Sequence, residues 1–432
     1  MSAAPAVTRE AIAAVWRAES ARIVAGVARL VRDVGLAEEL AQDALLAALE
    51  HWPADGVPDN PGAWLMTTAK HRALDRLRQQ QLHARKHEEL AADLDARQAL
   101  VVPDFVDALD DARADDIGDD LLRLIFTACH PLLSVEARVA LTLRLLGGLT
   151  TAEIARAFLL PEPTIAQRIV RAKRTLAAAR VPFEVPQAAE RERRLDAVLE
   201  VIYLVFNEGY SATAGDDWMR PALCDEALRL ARTLAALMPA DSEAAGLQAL
   251  LELQASRLGA RTDADGRALL LTEQDRTCWD RSLIRRGLDA LAQAEALAAR
   301  GDGLGPYALQ AAIAACHARA AHADQTDWVL IVALYDALLQ VSPSPVVRLN
   351  RAVAVGMAAG PAVALPLVDA LAAEGALERY PWLHGVRADL LLRLGRRAEA
   401  GAAFERAAAL THNLRERERL RERAAQAQAG SD

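Results

Sequence analysis

The chain has 432 residues, which is too long for one ordinary hydrophobic core and predicts about two to four structural units. Apolar residues make up 53% of the sequence but aromatic residues only 4%, so alanine and leucine must fill the interior, which favours stacked helices and argues against an all-β fold. The net charge of −9 excludes a protein that coats nucleic acid with its whole surface, so any site for a polyanion must be local.

The first predicted element is an amphipathic helix at Ala37–Trp52. Its apolar residues recur at helical spacing, and this places a polar face on the outside. The residues expected outside are Glu38, Glu39, Gln42 and Asp43, and those expected inside are Leu40, Ala44, Leu45 and Leu49. The exposed face of this helix is therefore predicted to be acidic.

A loop rich in turn-forming residues at 53–62 leads into a second helix, Ala63–Arg78, which is basic. Between Trp64 and His87 six cations stand against one acid. Cations of such a helix can follow phosphates while the loop beside it holds unstacked bases of a single strand. Trp64 taken alone is more typical of a core anchor than of a base platform, so the prediction depends on the combination. The cations expected to contact phosphates are Lys70, Arg72, Arg76 and Arg78.

The sign of the charge reverses from Ala91 to Asp120, where ten aspartates stand against two arginines. Aspartate is a weak helix former, and Pro103 interrupts the segment. We therefore expect an acidic, solvated linker at 91–118. Helices that support the next module are expected at Leu121–Gly148.

A helix-turn-helix is predicted at 149–176. The run Leu149–Phe158 begins with threonines suited to an N-cap and has the small Ala155 on its inner face, and the prolines at 160–163 end this helix. The second helix, Thr164–Leu176, carries glutamine and arginine side chains that can contact base edges in a major groove. An ordinary helical hairpin with a solvated basic face is the alternative. The candidate contact residues on this helix are Thr164, Gln167, Arg168, Arg171, Lys173 and Arg174.

After Pro186 the charges are mixed, and helices rich in alanine and leucine continue almost to the end of the sequence. The spacing of Ala388, Gly395 and Phe404 approaches that of a tetratricopeptide hairpin, in which glycine opens the turn and alanine lets the helices come close. We therefore predict a short solenoid of helical hairpins at 181–432. Its concave face could bind a peptide or the preceding modules, or the helices could form a bundle that only stabilises the chain.

Catalysis, cofactors, metals and membrane insertion are not expected. The four cysteines are far apart and form no metal-binding pair, so we expect reduced thiols in a cytoplasmic protein. Cysteine precedes histidine at 129–130 and at 316–317, but adjacent residues of a helix point about 100° apart and cannot act on each other. The Asp275 and Asp280 pair and the 206–210 cluster are equally weak candidates for acid–base chemistry. No segment is long and apolar enough to span a membrane.

The order of these motifs resembles that of bacterial sigma factors of the extracytoplasmic-function (ECF) type. Glu39–Trp52 is similar to the helix by which those factors bind the polymerase clamp, Pro61–Arg78 to their promoter-melting and minus-ten helix, and 149–176 to their minus-thirty-five reader. The resemblance implies an all-α protein with two small helical sigma domains, the second a helix-turn-helix, and without catalytic activity of its own. It implies a polymerase-binding and minus-ten domain at 1–90 and a minus-thirty-five domain at 119–180.

The partners implied by this resemblance are core RNA polymerase and promoter DNA, which would be duplex upstream and single-stranded at the melted element. The residues implied in polymerase contact are Glu39, Gln42 and Asp43. The residues implied at the minus-ten element are Trp64, Lys70, Arg72, Asp75, Arg76 and Arg78. The residues implied at the minus-thirty-five element are Thr164, Gln167, Arg168, Arg171, Lys173 and Arg174.

The C-terminal part, 181–432, resembles the tetratricopeptide-like extension of one sigma subgroup. The sequence segments on which this resemblance rests are Val201–Tyr210, Asp275–Arg281, Gly305–His317 and Leu349–Val355. They imply a sigma factor whose activity is regulated by its extension, through an intramolecular or a peptide partner. The alternative is a helix-turn-helix transcriptional regulator that carries a peptide-binding helical-repeat scaffold.

Overall fold

All the regular secondary structure of the described residues is helical, and the chain divides into two compact units. The computed structural model describes residues 4–91, 114–158, 160–211, 219–263, 269–301, 303–411 and 413–429. Eighteen α-helices lie in these residues, and none of the described residues forms a β-strand. The predicted all-α fold class is therefore confirmed. The first unit is Met1–Val201 and the second is Ile202–Asp432.

The first unit begins with three long helices that pack on one another. They pack closely because fully buried alanines, including Ala25, Ala28 and Ala41, let the backbones approach. The second of them begins after Asp33, whose carboxylate accepts the backbone N–H groups of Gly35 and Leu36 at 2.7 and 3.0 Å. The helices are α1 (Ala4–Val31), α2 (Val34–Asp55) and α3 (Pro61–Ala91).

The predicted linker at 91–118 lies mostly outside the described residues, since 92–113 are not described. The described chain is helical again from Ala114, where α4 (Ala114–Ala128) begins. The second half of α4 is firmly packed, because Leu124 and Phe126 are fully buried. Burial of that half outweighs the low helix propensity of the aspartates that precede it.

The predicted helix-turn-helix is present. The supporting helix is α5 (Val135–Leu145), the first helix of the motif is α6 (Thr151–Phe158), and the second is α7 (Glu162–Ala178). Thr150 and Glu153 form a capping box at the start of α6: the Thr150 hydroxyl accepts the Glu153 N–H at 3.1 Å, and the Glu153 carboxylate accepts the Thr150 N–H at 2.7 Å. Helix α7 begins two residues earlier than the sequence predicts, because Pro163 is tolerated in the first turn of a helix.

Helix α8 (Ala188–Tyr210) crosses the boundary between the units, and Arg194 on it donates to the carbonyl oxygen of Phe126 at 2.9 Å within the first unit. The second unit continues with helices that pack mostly on their neighbours in sequence, as expected for stacked hairpins. The first five are α9 (Pro221–Leu237), α10 (Ser242–Ala255), α11 (Arg281–Ala298), α12 (Pro306–Arg319) and α13 (Trp328–Val341). The last five are α14 (Pro345–Ala358), α15 (Pro361–Ala373), α16 (Pro381–Arg393), α17 (Arg397–Leu410) and α18 (Leu414–Ala429).

The hairpin expected around Gly395 is present between α16 and α17. Gly395 has φ +76°, a left-handed conformation that glycine adopts without steric cost. Ala388 and Phe404 are fully buried on the facing sides of the hairpin. Whether the array as a whole is a tetratricopeptide solenoid stays a prediction.

The thiols differ in exposure. Cys129, Cys224 and Cys316 are buried free thiols, and Cys278 is an exposed one. Burial raises the pKa of the Cys129 thiol to about 11 and that of Cys224 to about 12. The buried thiols are therefore protonated at neutral pH.

Candidate functional site

The outer face of α2 carries the residues expected to contact a partner. Glu39 is exposed, and Gln42 and Asp43 are half-buried beside it. Leu46 and Leu49 continue the same face at helical spacing and are 56% and 38% exposed. Leu49 was expected inside, and this expectation is wrong. The face therefore combines acidic, amide and aliphatic groups, and exposed leucines in such a setting are typical of a docking surface.

Glu38 was expected on the outer face of α2, and this expectation is also wrong. Its side chain is 4% exposed, and it forms ion pairs with Arg144 Nε, at 2.5 Å, and with Lys173 Nζ. Both cations belong to the helix-turn-helix module. The sequence carried a signal for this, because Glu38 stands four residues after Val34 and three before Ala41, on the buried stripe of α2.

The minus-ten candidates on α3 separate into an exposed and a buried group. Arg76 is exposed, and Asp75 and Arg78 are exposed as a pair with 3.4 Å between Oδ1 and Nη1. Arg72 is half-buried, with its Nη1 3.5 Å from Asp43 Oδ2 on α2. Exposed cations on one helix can reach phosphates, so these residues form a usable basic face.

Lys70 does not belong to this basic face. It is only 7% exposed, and burial, with the nearby charge of Arg29, lowers the pKa of its ammonium group. Lys70 stands three residues before the fully buried Ala73, on the inner side of α3. The expected phosphate contact at Lys70 is therefore corrected.

Trp64 is half-buried and packs its ring edge-to-face on Trp52, with 5.4 Å between the ring centroids. Trp52 itself is buried at 2% exposure. The indole of Trp64 thus has one side in the core and one side open. Trp64 can therefore anchor α3 to the core through Trp52, while the uncovered part of its ring could contact a base.

Helix α7 presents its candidate residues as the helical spacing predicts. Ile165, Ile169 and Ala172 are buried, which turns the opposite side of the helix to solvent. Lys173 is the exception among the candidates, because its ammonium group pairs with Glu38. The exposed candidates are Thr164, Gln167, Arg171 and Arg174, with Arg168 half-buried beside them.

The helix-turn-helix is packed on α1 and α2 in this structure. Glu38 pairs with both of its cations there, and Arg17 Nη2 lies 2.9 Å from Glu153 Oε1 at the start of α6. Gly148, at φ +66°, touches α1 so closely that a Cβ atom would lie 2.6 Å from the Ser20 hydroxyl oxygen. The contact is therefore specific, and glycine is required at that position.

The groups considered for acid–base chemistry have structural roles. Asp275 accepts the backbone N–H of Thr277 at 2.9 Å, and Asp280 caps α11. Glu208 pairs with Arg220. No cluster of three metal-ligating side chains occurs among the residues that the structure describes. In the same residues, no helix has both the length and the apolar character needed to cross a bilayer.

Family models match three parts of the chain. Residues 15–83 match Sigma-70 region 2, and residues 123–176 match Sigma-70, region 4. Residues 194–295 match a family of unknown function (DUF6596). The first two matches cover α2, most of α3 and nearly all of the helix-turn-helix, and these helices carry the candidate surfaces.

Relatives extend this result. An uncharacterized protein of Rhizobium meliloti (strain 1021) is 47% identical over 389 residues, which are 90% of this chain and 89% of the relative. The ECF RNA polymerase sigma factor SigK of Mycobacterium ulcerans (strain Agy99) is 32% identical over 173 residues, which are 39% of this chain and 84% of that protein. The probable ECF RNA polymerase sigma factor SigI of Mycobacterium tuberculosis (strain ATCC 25618 / H37Rv) is 28% identical over 183 residues, or 42% of this chain and 59% of that protein. The chain therefore belongs to the ECF RNA polymerase sigma factors, which direct RNA polymerase to promoter DNA and are not themselves catalytic.

Proposed function

We propose that the outer face of α2 is the surface by which this sigma factor docks on core RNA polymerase. The observation that supports it is the exposure of Leu46 and Leu49 next to Glu39, Gln42 and Asp43. Burial of these leucine side chains by a partner would favour binding, because it removes apolar surface from water. The flanking polar groups would make the contact specific for one partner and one orientation. Domain 1–90 would use this face in the cytoplasm, where the polymerase works.

We propose that the same domain holds the melted minus-ten strand on α3. Arg76, Arg78 and the half-buried Arg72 would contact phosphates, and the open side of Trp64 would meet a base. Asp75 would orient Arg78 through their 3.4 Å pair. Lys70 has no part in this surface.

We propose that domain 119–180 reads the minus-thirty-five element with α7 in the major groove. Gln167 and Arg171, both exposed, would contact base edges, and Arg174 would contact phosphate. Arg168 and Thr164 lie beside them on the helix. Lys173 would become available only after its pair with Glu38 opens.

We propose that the packed arrangement of the first unit is a resting form. The ion pairs of Glu38 with Arg144 and Lys173 suit a reversible contact. Water solvates all three charged groups when the contact opens, so the buried ion pairs contribute little net free energy to the packed form. Opening would let the helix-turn-helix move away from α2 and let the two DNA-reading surfaces reach separate promoter elements. Domain 181–432 would regulate this step, through an intramolecular or a peptide partner.

The docking proposal is tested by capture of core polymerase with the full chain. Replacing Leu46 and Leu49 by alanine should weaken binding by about tenfold for each leucine, since each loses its buried area. The matched control is Val329→Ala, which trims an apolar side chain that is 73% exposed in the second unit. Equal capture by the double variant and the control would refute docking through this face.

Regulation by the extension is tested by transcription with a shortened chain. The cut is best placed after Val201, because Arg194 is then retained and still donates to Phe126. A change in transcript yield in either direction, at equal polymerase binding, supports regulation. Equal yields from the full and shortened chains would leave the extension without this role.

A further inference from the structure

The first unit contains a cationic cleft whose lining residues, apart from Lys173, have no part in the proposed polymerase and promoter surfaces. It has a volume of about 810 Å³ and lies where α1 meets α2 and where α7 ends. Two acids also line it, and one of them, Asp33, is already engaged as the N-cap of α2. The five cations that line it are Arg29, Arg32, Arg123, Lys173 and Arg180.

Two of these arginines have an unusual backbone. Arg32 has φ +54° and Arg180 has φ +48°, and they are the only non-glycine residues with positive φ among the residues that the structure describes. They are 148 positions apart in the sequence and line the same cleft. A left-handed conformation is sterically costly for any residue with a Cβ atom, and such residues cluster at functional sites.

Arg180 occupies a position at the end of α7 where a left-handed backbone is required. It follows α7 in a Schellman motif, in which Arg180 N–H donates to Ala177 O at 3.0 Å and Val181 N–H donates to Leu176 O at 3.1 Å. Glycine is the usual residue at this position. A cation can complement a helix dipole from anywhere in the last turn with an ordinary backbone, so that role does not require arginine here.

The charges of the cleft are unevenly compensated. Arg32 and Arg180 are exposed, and neither forms an ion pair with any carboxylate in the described part of the chain. Lys173 shares the single carboxylate of Glu38 with Arg144. A ligand that carries several negative charges would therefore gain more from this cleft than one that carries a single charge.

The cleft also has apolar lining residues, which include Leu176, Pro182 and the half-buried Phe183. A flat ring can stack there, while guanidinium groups bind phosphate oxygens in a bidentate way. The volume is that of a small-molecule site and is too small for a nucleic-acid duplex.

We propose that this cleft binds a nucleotide-like small molecule, with its phosphates on Arg32 and Arg180 and its ring against Phe183. Arg32 belongs to the turn between α1 and α2, and Arg180 to the end of the helix-turn-helix module. A bound ligand would therefore tie this module to the first three helices. The binding itself does not depend on the promoter roles proposed above, and its test needs neither polymerase nor DNA.

The test is calorimetric titration of the full chain at physiological salt with adenosine triphosphate, tripolyphosphate and adenosine. Adenosine triphosphate should bind saturably and more tightly than adenosine, and tripolyphosphate should compete with it. Arg32→Gly and Arg180→Gly should each weaken binding about tenfold or more, because each removes a charge-assisted contact. Glycine accepts the left-handed backbone without steric cost, so neither variant should unfold at a lower temperature than the wild type.

The control is Arg379→Ala, which removes an exposed arginine of the second unit and should leave the affinity unchanged. Three results would overturn the proposal. They are the absence of saturable binding by the wild-type chain, equal affinity of the Arg32→Gly, Arg180→Gly double variant and the control, and adenosine binding as tightly as its triphosphate.

Discussion

The carboxylate of Glu38 is the residue on which the packing of the helix-turn-helix depends most directly. It is buried, and it faces two cations that are themselves only 20% exposed. Without the negative charge, those two cations would stay close together in a partly dry contact. Coulomb repulsion and desolvation would then both act against the packed form.

Glu38→Gln tests this role because it removes the charge and keeps the shape. We expect a loss of about 2–4 kcal/mol in the stability of the first unit, since an uncompensated cation pair remains. Thermal unfolding of the full chain measures it. Glu50→Gln, at an exposed position of the same helix, is the control, and a similar small effect of both variants would contradict the assignment.

His317 is the residue whose ionisation should matter most for the second unit. Burial, with the nearby charges of Arg257 and Arg276, lowers the pKa of its imidazole to about 3. The unfolded chain binds a proton at this histidine below about pH 6.5, whereas the folded chain binds it only below about pH 3. Stability must therefore fall as the pH decreases from about 6.5 towards the folded-state value.

His317→Gln should remove this pH dependence. Between pH 7 and pH 5 the wild type should lose about 2 kcal/mol through this group alone, and the variant should not. The midpoint of thermal unfolding, measured at both pH values, gives the comparison. Parallel shifts of the two proteins would show that His317 titrates normally in the folded chain.

At the scale of the helix, the positions of charges were harder to predict than the helices themselves. The presence of α2, α3 and the helix-turn-helix follows from apolar spacing, caps and prolines, which act locally, but α3 continues to Ala91, well past the predicted end at Arg78. Glu38 and Lys70 were placed outside because they are charged. The charges close to them lie far away in the sequence. Arg144 pairs with Glu38, while Lys70 lies near the like charge of Arg29 and the opposite charge of Asp120.

The packing of α10 on α12 depends on a glycine. A Cβ atom at Gly246 would lie 2.7 Å from the backbone nitrogen of Ala308 and 2.9 Å from its Cα. Backbone atoms cannot rotate away as a flexible side chain can. The two helices would have to separate, and the neighbouring core would lose contacts.

Gly246→Ala should therefore destabilise the second unit by about 2–4 kcal/mol despite the better helix propensity of alanine. Gly385→Ala is the matched control, because Gly385 also lies inside a helix but has no neighbouring atom within 4 Å of the added carbon. The control should change stability by less than about 1 kcal/mol. Chemical denaturation of both variants distinguishes crowding from propensity, and equal effects would exclude crowding.

At the scale of the whole molecule, the order of the motifs predicted the two sigma regions, which the family matches at 15–83 and 123–176 confirm. The packing of the helix-turn-helix on α2 was not predictable. It depends on ion pairs such as Arg144 with Glu38, which are 106 positions apart, and no local pattern contains them. The large extension was expected to be helical, and the part of it that the structure describes consists of helices joined by turns and loops.

The net charge of −9 leads to an expectation for the free protein. Without core polymerase the full chain should bind promoter duplex only weakly, because long-range repulsion opposes the local basic faces of α3 and α7. An electrophoretic shift assay with and without core polymerase tests this. Tight binding of duplex by the free chain would favour a conventional helix-turn-helix regulator instead.

The difference in burial among the four thiols allows the intact protein to be labelled selectively. Cys278 is exposed, whereas Cys129, Cys224 and Cys316 are shielded by the folded core. A maleimide dye should therefore attach once per native molecule, at a site in the second unit, without any cysteine having to be removed first. Labelling of further cysteines during heating would then show which unit unfolds first, because Cys129 lies in the first unit and Cys224 and Cys316 lie in the second.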